Sequence, residues 1–344
     1  MVNQHKNVSC LLAIESSCDE TSCGIYLPKQ QALYQEIYSQ IQLHQTYGGV
    51  VPELASRSHL EKMYGIIERT LAKSGCRLQD VDAIAYTRGP GLVGPLLIGA
   101  TYADALAFAL QVPLIPVHHL EAHITIALHE YVGCQFPFLA LIVSGGHTEL
   151  VFAHALGQYT VLGATLDDAV GEAFDKCGKI MGLPYPAGPM VAQMADAYDQ
   201  SSGIPVLPEP LKTSTTLDFS FSGLKSAFLR QWEQSKMYFE PSAFAYAIQS
   251  TIVTCLVRRV KQAFAQHPDC PLVVAGGVAA NAALRKNLKQ LAQDMQRSIY
   301  FPSVQYCTDN GGMIAYNAYL RLQAFGSDVI PKQKVQPRWP IETL

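Results

Sequence analysis

Short apolar runs broken by polar turns dominate the first third of the chain. Cys10–Ile14 and Gly24–Tyr26 flank Glu15-Ser16-Ser17-Cys18-Asp19-Glu20-Thr21-Ser22, which predicts strand, acidic turn, strand. Leu139–Ala153 repeats the plan around Ser144-Gly145-Gly146-His147-Thr148, and the echo points to two domains grown from one duplicated unit. Neither turn carries an Asn-Gly hairpin signal, so both read as functional loops. Pro52–Lys73 predicts a helix, with Leu60, Tyr64, Ile67 and Leu71 at the 3.6-residue period. Val81–Tyr86, Leu114–Val117 and Leu272–Ala275 predict short buried strands. Helices are expected over about Pro95–Leu110, from His119, over Leu166–Met181, over Ser242–Gln266 (Ile248, Ile252, Leu256 and Val260 on one face), from about Asn281, and over Ile314–Phe325. Strands alternating with helices predict α/β layers. Gln200–Thr216 has the weakest periodicity and reads as a surface excursion.

Composition narrows the class. At 344 residues and 49% hydrophobic content, the chain can build two domains with sizeable cores. A net charge of −3 is too acidic for gripping nucleic acid by bulk electrostatics, so a nucleic-acid substrate needs local patches or a partner. Nine cysteines without a Cys-x-x-Cys pair fit a reducing compartment, and the polar stretch Met1–Asn7 shows no signal peptide, so a cytoplasmic location is expected. The most membrane-like window, Gly91–Val117, is interrupted by Pro95, Asp104 and Pro113. It reads as a buried core helix followed by a strand, and no membrane is expected.

Candidate chemistry begins at His119-Leu120-Glu121-Ala122-His123. Residues four apart share one helix face, so His119 and His123 can aim two imidazoles at one metal ion, unless they are merely neighbours by chance. Asp309, in Cys307-Thr308-Asp309-Asn310-Gly311-Gly312, can complete a two-His, one-carboxylate set that suits Fe(II), with Zn(II) as the rival, or it can cap the late helix. Ser144–Thr148 can offer backbone N–H groups to a phosphate or carboxylate, or be a plain hairpin loop. Asp19 and Glu20 occupy the equivalent loop of the first half, where paired acids position a metal or nucleophile, or sit in a solvated turn. Asp168, Glu172 and Asp175 are spaced to share a helix face, near Asp167 and Lys176. Val273–Leu284 reads as a strand, a Gly-Gly turn and a helix, a nucleotide-type element in which Asn281 can reach a ribose or base. It lacks the third glycine of a dinucleotide fingerprint, and the chain has no P-loop. Lys225 can contact a phosphate or be a surface lysine. Two basic clusters read as solvated faces ahead of a tRNA surface: Arg258, Arg259, Lys261, Arg285, Lys286 and Lys289, and the tail's Lys332, Lys334 and Arg338.

Taken together, these segments resemble the TsaD family of bacterial tRNA threonylcarbamoyladenosine transferases over nearly the whole chain. Its motifs stand here as Ile14–Thr21, Tyr47–Arg57, Thr87–Leu92, the His119/His123 run, Val143–Thr148, Asp167–Lys176, Phe219–Lys225, Ala275–Asn281 and Cys307–Gly311. The resemblance implies an α/β, two-domain fold of the actin-like ATPase, sugar kinase and Hsp70 type (ribonuclease H-like), with a ligand cleft between domains. Residues 1–118 would form the first domain, completed by a C-terminal helix at about 310–330. Residues 119–309 would form the second, and 331–344 a tail. It implies one Fe(2+) per chain on His119, His123 and Asp309. It implies contacts to threonylcarbamoyl-AMP from Ile142, Val143, Ser144, Gly145, Gly146, Asp175, Gly188 and Asn281, and a role near the reacting centre for Asp19 and Glu20. A TsaB-like paralogous subunit and a TsaE-like ATPase are the implied partners, with tRNA as acceptor. Ala187, Pro95 and Gly312 stand where the family usually has Gly, Ser and Ala.

The reaction so implied is carbamoyl transfer. The exocyclic amine of the tRNA adenosine beside the anticodon attacks the activated carbonyl, and AMP leaves. The expected roles are metal as Lewis acid, Ser144–Thr148 amides on developing negative charge, and Asp19 or Glu20 on the amine proton. The rival readings are a metal-dependent endopeptidase, a sugar-kinase-like ATPase of the same fold and a nonenzymatic scaffold. The endopeptidase is disfavoured because a zincin needs Glu directly after the first His, whereas Glu121 lies two positions on.

Overall fold

The computed structural model describes residues 8–199, 203–326 and 335–344. These divide into two compact units. In the first, β1 (Leu11–Glu15), β2 (Glu20–Leu27) and β3 (Ala32–Ser39) form an antiparallel meander. A short helix α1 (Ile41–Gln45) and the long α2 (Pro52–Ser74) follow. Next come β4 (Ala83–Gly89), α3 (Val93–Leu110), β5 (Leu114–His118) and α4 (His119–Glu130). The sheet order is β3-β2-β1-β4-β5, with β4 and β5 parallel to β1.

The second unit repeats that topology. Its meander is β6 (Phe138–Val143), β7 (Thr148–Ala155) and β8 (Gln158–Ala164). The helices α5 (Val170–Ile180), α6 (Gly188–Asp196), α7 (Ser222–Ser235) and α8 (Pro241–Gln266) precede β9 (Leu272–Ala275), α9 (Ala282–Asp294) and β10 (Ile299–Tyr300). The order β10-β9-β6-β7-β8 mirrors the first sheet, with β9 parallel to β6 where β4 is parallel to β1. The duplication expected from two similar strand–turn–strand runs is therefore present in topology, and it pairs the 16–19 turn with the 144–147 turn. The chain closes with α10 (Gly311–Phe325), which belongs to the first unit.

Boundaries and faces differ from expectation in three places. The first unit runs through Val132, takes in Leu156–Gln158 and resumes at Thr308, so α4 and Asp309 belong with the first sheet instead of opening a second domain at 119. In α2 the buried face is His59, Met63, Ile66 and Thr70, while Leu60 and Tyr64 face outward. The period was right and the face half right: Ile67 is buried and Leu71 packs on the core, but polar His59 and Thr70 take inner positions, satisfied by Thr21 and by the Ile66 carbonyl. Helix α3, expected as core, buries Pro95, Leu96, Gly99, Ala103 and Ala107 and leaves Val93, Leu97 and Phe108 exposed. Among the described residues it is the one helix long and apolar enough to cross a membrane. Residues 203–216 carry no helix or strand, as expected for the excursion, whereas 200–202, Lys332 and Lys334 lie outside the described residues.

The described part of the tail is tied down. The Gln336 amide donates to the Arg88 carbonyl at 2.8 Å, and the Gly91 amide donates to the Pro337 carbonyl. The Arg88 guanidinium sits 4.6 Å from the Trp339 ring centre, a cation–π contact.

Candidate metal centre and substrate loops

Strand β5 runs into α4 without a linker, so His119 is the first residue of the helix and His123 lies one turn on. Asp309 arrives from the other end of the unit. Its placement depends on a close backbone approach: a Cβ on Gly24 or Gly311 would come within 2.3 Å of the other's backbone or of Cys23, so β2 and the start of α10 can meet only as glycines. The Gly311 amide donates to Ser22 Oγ at 2.8 Å. Asn310, not Asp309, caps α10, accepting the Met313 amide at 2.8 Å. Asp309 is thereby excused from capping and faces the histidines.

His123 Nε2 lies 2.9 Å and His119 Nε2 3.4 Å from Asp309 Oδ1, and one donor atom from each of the three residues falls within 4.8 Å of the others. Two imidazole nitrogens and one carboxylate oxygen at this spacing fit a small divalent transition metal with positions left open. His123 Nδ1 is buried without a hydrogen-bond partner, as expected of a ring oriented through its other nitrogen. Burial opposes charge on His119, yet Asp309 and Glu15 outweigh it and hold the ring well above the usual histidine range. Asp309, resisted by burial and favoured by the two rings, is held well below the usual carboxylate range.

The acidic turn belongs to the same unit. Asp19 is buried at the turn's end, and its carbonyl accepts the Gln40 amide. Glu20 opens β2 and accepts the Ser39 hydroxyl at 3.4 Å. Burial, with Asp19 and Asp309 beside it, pushes the Glu20 carboxyl well above its usual range. Glu121 offers no protease-type base. Its fully buried carboxylate is bound to Arg321 at 2.8 Å and to the Gly157 amide at 2.9 Å.

In the second unit Ile142 and Val143 are buried strand residues, leaving only their main chain to meet a ligand. The expected amide cradle is partly closed on itself: Ser144 Oγ accepts the Gly146 and His147 amides at 3.3 and 3.0 Å. Gly145 and Gly146 are exposed, and a Cβ on either would meet nothing within 4 Å. Asp175 Oδ1 accepts the Ala187 and Gly188 amides at 2.7 and 3.2 Å, fixing the loop that starts α6. Asn281 Oδ1 caps α9 through the Leu284 amide, and its amide nitrogen donates to Gln249 at 2.8 Å.

The acidic helix face is not formed. Helix α5 starts at Val170, so Asp168 precedes it and reaches back to Lys176, which also binds Glu172. Asp167 instead gathers the Ser220 and Ser222 hydroxyls and the Phe221 and Ser222 amides, fixing the start of α7. Three of the basic side chains are internal ties. Arg259 is buried on the carbonyls of Asp218, Ser214 and Leu211, Arg258 binds Glu209, and Arg285 binds the Ala279 and Pro302 carbonyls. Lys261, Lys286 and Lys289 are exposed.

Two α/β units of one strand order, the first holding a His-His-Asp cluster, place the chain in the actin-like ATPase and sugar-kinase fold class. Solved structures agree on the fold. HypF of T. kodakarensis aligns with TM-score 0.61 at 14% identity over 93% of this chain and 48% of that one. Component A of (R)-2-hydroxyglutaryl-CoA dehydratase from Acidaminococcus fermentans aligns with TM-score 0.55 at 14% identity over 90% and 96%. Within that class the chain belongs to the TsaD family: the family model for tRNA N6-adenosine threonylcarbamoyltransferase matches residues 31–316. Proteins of that name from Legionella pneumophila (strain Corby) and Ralstonia pickettii (strain 12J) are 46% and 47% identical, covering 96% and 97% of this chain and 99% and 98% of theirs.

Glu15 was not anticipated as a site residue. Its signal was an acid directly ending the apolar run of β1, where strand burial allows no solvation.

Proposed function

We propose that this chain transfers the threonylcarbamoyl group from threonylcarbamoyl-AMP to the exocyclic amine of the adenosine beside the anticodon, in tRNAs reading codons that begin with A. The C–N bond forms as the bond from the carbamoyl carbon to the phosphate oxygen breaks, and AMP leaves with that electron pair. The observation carrying the proposal is the assembled His119, His123 and Asp309 cluster in a chain that matches the family along its length.

Those three residues would hold one Fe(2+), with Zn(2+) the rival. The ion supplies Lewis acidity when bound. Asp19 and Glu20 take up or orient the amine proton, and burial beside Asp19 and Asp309, which pushes the Glu20 carboxyl up, suits Glu20 to holding a proton. In the second unit, the open faces of Gly145 and Gly146, the main chain of Ile142–Ser144, Gly188 on Asp175, and the Asn281 amide are assigned to the adenylate. The Gly146 and His147 amides, turned onto Ser144, are withdrawn from the expected oxyanion role.

Partners are proposed with the reaction. Leu60 and Tyr64 on α2 and Val93 and Leu97 on α3 are each one turn apart and exposed, an apolar face that fits a TsaB-like paralogous subunit. A TsaE-like ATPase completes the set, and the expected location is cytoplasmic. The test incubates iron-loaded protein and partners with threonylcarbamoyl-AMP and unmodified tRNA, read by nucleoside mass spectrometry. Modification lost in a His119→Ala, His123→Ala variant supports transfer at this centre. Modification retained in the variant rejects the metal's role. No modification with partners shown active rejects transfer in favour of a scaffold or kinase.

A further inference from the structure

We propose that Glu15 is a positioning residue for the metal centre, taking the Nδ1 hydrogen of His119 so that Nε2 presents its lone pair toward Asp309 and the ion. The inference rests on the metal reading above and adds the residue that orients one of its ligands.

Glu15 ends β1, the middle strand of the first sheet, and has no exposed surface. A carboxylate so placed is costly unless its oxygens are bound. Both are. One oxygen, Oε1, accepts the Ser17 amide at 2.5 Å, and Oε2 accepts the Thr87 hydroxyl at 2.5 Å and lies 3.1 Å from His119 Nδ1. On the opposite side of the ring, Nε2 faces Asp309. The two nitrogens of a neutral imidazole are inequivalent, and the bond made by one decides what the other can do. With Nδ1–H given to Glu15, Nε2 is the only lone pair left.

His123 lacks such a partner, since its Nδ1 meets no acceptor. The two rings are therefore held differently: His119 has a carboxylate on the nitrogen away from Asp309, and His123 has none. The arrangement also fixes what an amide would do in place of the Glu15 carboxylate. The Ser17 main-chain amide can only donate, so the side chain introduced by E15Q must keep its oxygen there. Its NH2 group is then forced onto Thr87 and His119. His119 Nδ1 is then offered a donor in place of its acceptor, and its hydrogen either falls back on the longer 3.4 Å contact to Ser17 Oγ or moves to Nε2, where it removes the ligating lone pair. The substitution leaves side-chain volume nearly unchanged, so the effect is one of tautomer and not of packing.

The experiment strips the full chain of metal and titrates it with Co(II) alone against a competing chelator, for wild type, E15Q, H119A, H123A and E15Q/H119A. The expected loss for E15Q is about 10- to 100-fold in affinity, with altered Co(II) visible bands and an unchanged apo circular dichroism spectrum. In the H119A background, E15Q should cause no further loss. Equal Co(II) affinity in wild type and E15Q, with H119A impaired, overturns the positioning role and leaves the metal centre standing. Unchanged affinity in H119A and H123A overturns both. A second measurement needs no variant at position 15: histidine ring nitrogen NMR of the zinc-loaded wild type. Nδ1-protonated His119 supports the proposal, and Nε2-protonated His119 refutes it even if E15Q fails to fold.

Discussion

Helix α5 and the loop before α6 meet at a single methyl. A Cβ added to Gly178 would stand 2.3 Å from Ala187 Cβ. Ordinary carbon contacts lie at about 3.5–4.0 Å, so Gly178→Ala must displace the loop by more than 1 Å or strain the helix. Overpacking of this kind costs about 1–3 kcal/mol, and the steep overlap places it in the upper half. Replacing a mid-helix glycine returns about 0.5–1 kcal/mol. The net expectation is about 1–2 kcal/mol of destabilisation. Ala187→Gly alone gives up a buried methyl, about 0.8 kcal/mol, plus a few tenths in chain entropy. In the double variant the clash is gone, because the next contacts of the new methyl are ordinary, 3.4 Å to Val191 Cγ2 and 3.6 Å to Ala187 Cα. It should return to within about 0.5 kcal/mol of wild type, a coupling of about 2–3 kcal/mol.

The chain's two tryptophans make this measurable. Trp339 belongs to the first unit and Trp232 to the second, so urea unfolding followed by fluorescence in a Trp339→Phe background reports the second unit alone. Additive single and double effects, agreeing within about 0.5 kcal/mol, would refute the reasoning. The effect should reach the ligand. Asp175 holds the Ala187 and Gly188 amides, so Gly178→Ala is expected to weaken adenylate binding and Ala187→Gly to restore it.

Three further outcomes are expected from side chains and glycines, and one from pH. Arg321→Met leaves the Glu121 carboxylate buried without its cation, held by the Gly157 amide, and should cost about 3–5 kcal/mol in thermal or urea unfolding, whereas a neutral effect would refute the ion pair's structural role. Gly276→Ala should destabilise by about 1–3 kcal/mol, because its φ is +95° and the added Cβ meets the Val143 carbonyl oxygen at 2.4 Å. Gly145→Ala should leave stability within about 0.5 kcal/mol while impairing transfer, and equal loss of stability in both would count against a ligand at Gly145. Burial raises the Asp167 carboxyl, but hydrogen bonds from Ser220, Phe221 and Ser222 outweigh it and lower its pKa to about 2 from the ordinary 3.8. Its contribution is full above 3.8 and fades as pH falls toward 2. Discounted for solvent exposure it amounts to about 1 kcal/mol, and Asp167→Asn should remove that acid-dependent part of the urea midpoint.

Periodicity made the strands and the long α8 legible, because a fully buried element needs only a run or a stripe: Ile248, Ile252, Leu256 and Val260 are all buried. It could not give phase where polar groups line the inner face, as with His59 and Thr70 in α2. Nor could hydropathy distinguish a helix side covered by its own chain from one left exposed, which is why α3 read as core. The His119/His123 pair was legible because four-residue spacing is local geometry. Asp309 was ambiguous until Asn310 was seen to cap α10, since adjacent Asp and Asn carry the same capping signal. Arg259 read as a surface cation because the three carbonyls that bury it lie more than forty residues away in sequence.

The glycines carry the argument one step further. In sequence Gly24, Gly145, Gly276 and Gly277 look alike. In the fold Gly24 and Gly276 are compelled, because a Cβ at either would come within 2.5 Å of backbone atoms. Gly145, Gly146 and Gly277 have ordinary φ, and a Cβ on any of them would touch nothing within 4 Å. Nothing inside the second unit requires glycine there, and each costs conformational entropy on folding. A cost without an internal return is what a site for a group outside the chain would show. All three lie just past the ends of β6 and β9, strands that are parallel neighbours in the sheet. That edge offers main chain that no side chain shields, as the proposed adenylate site requires.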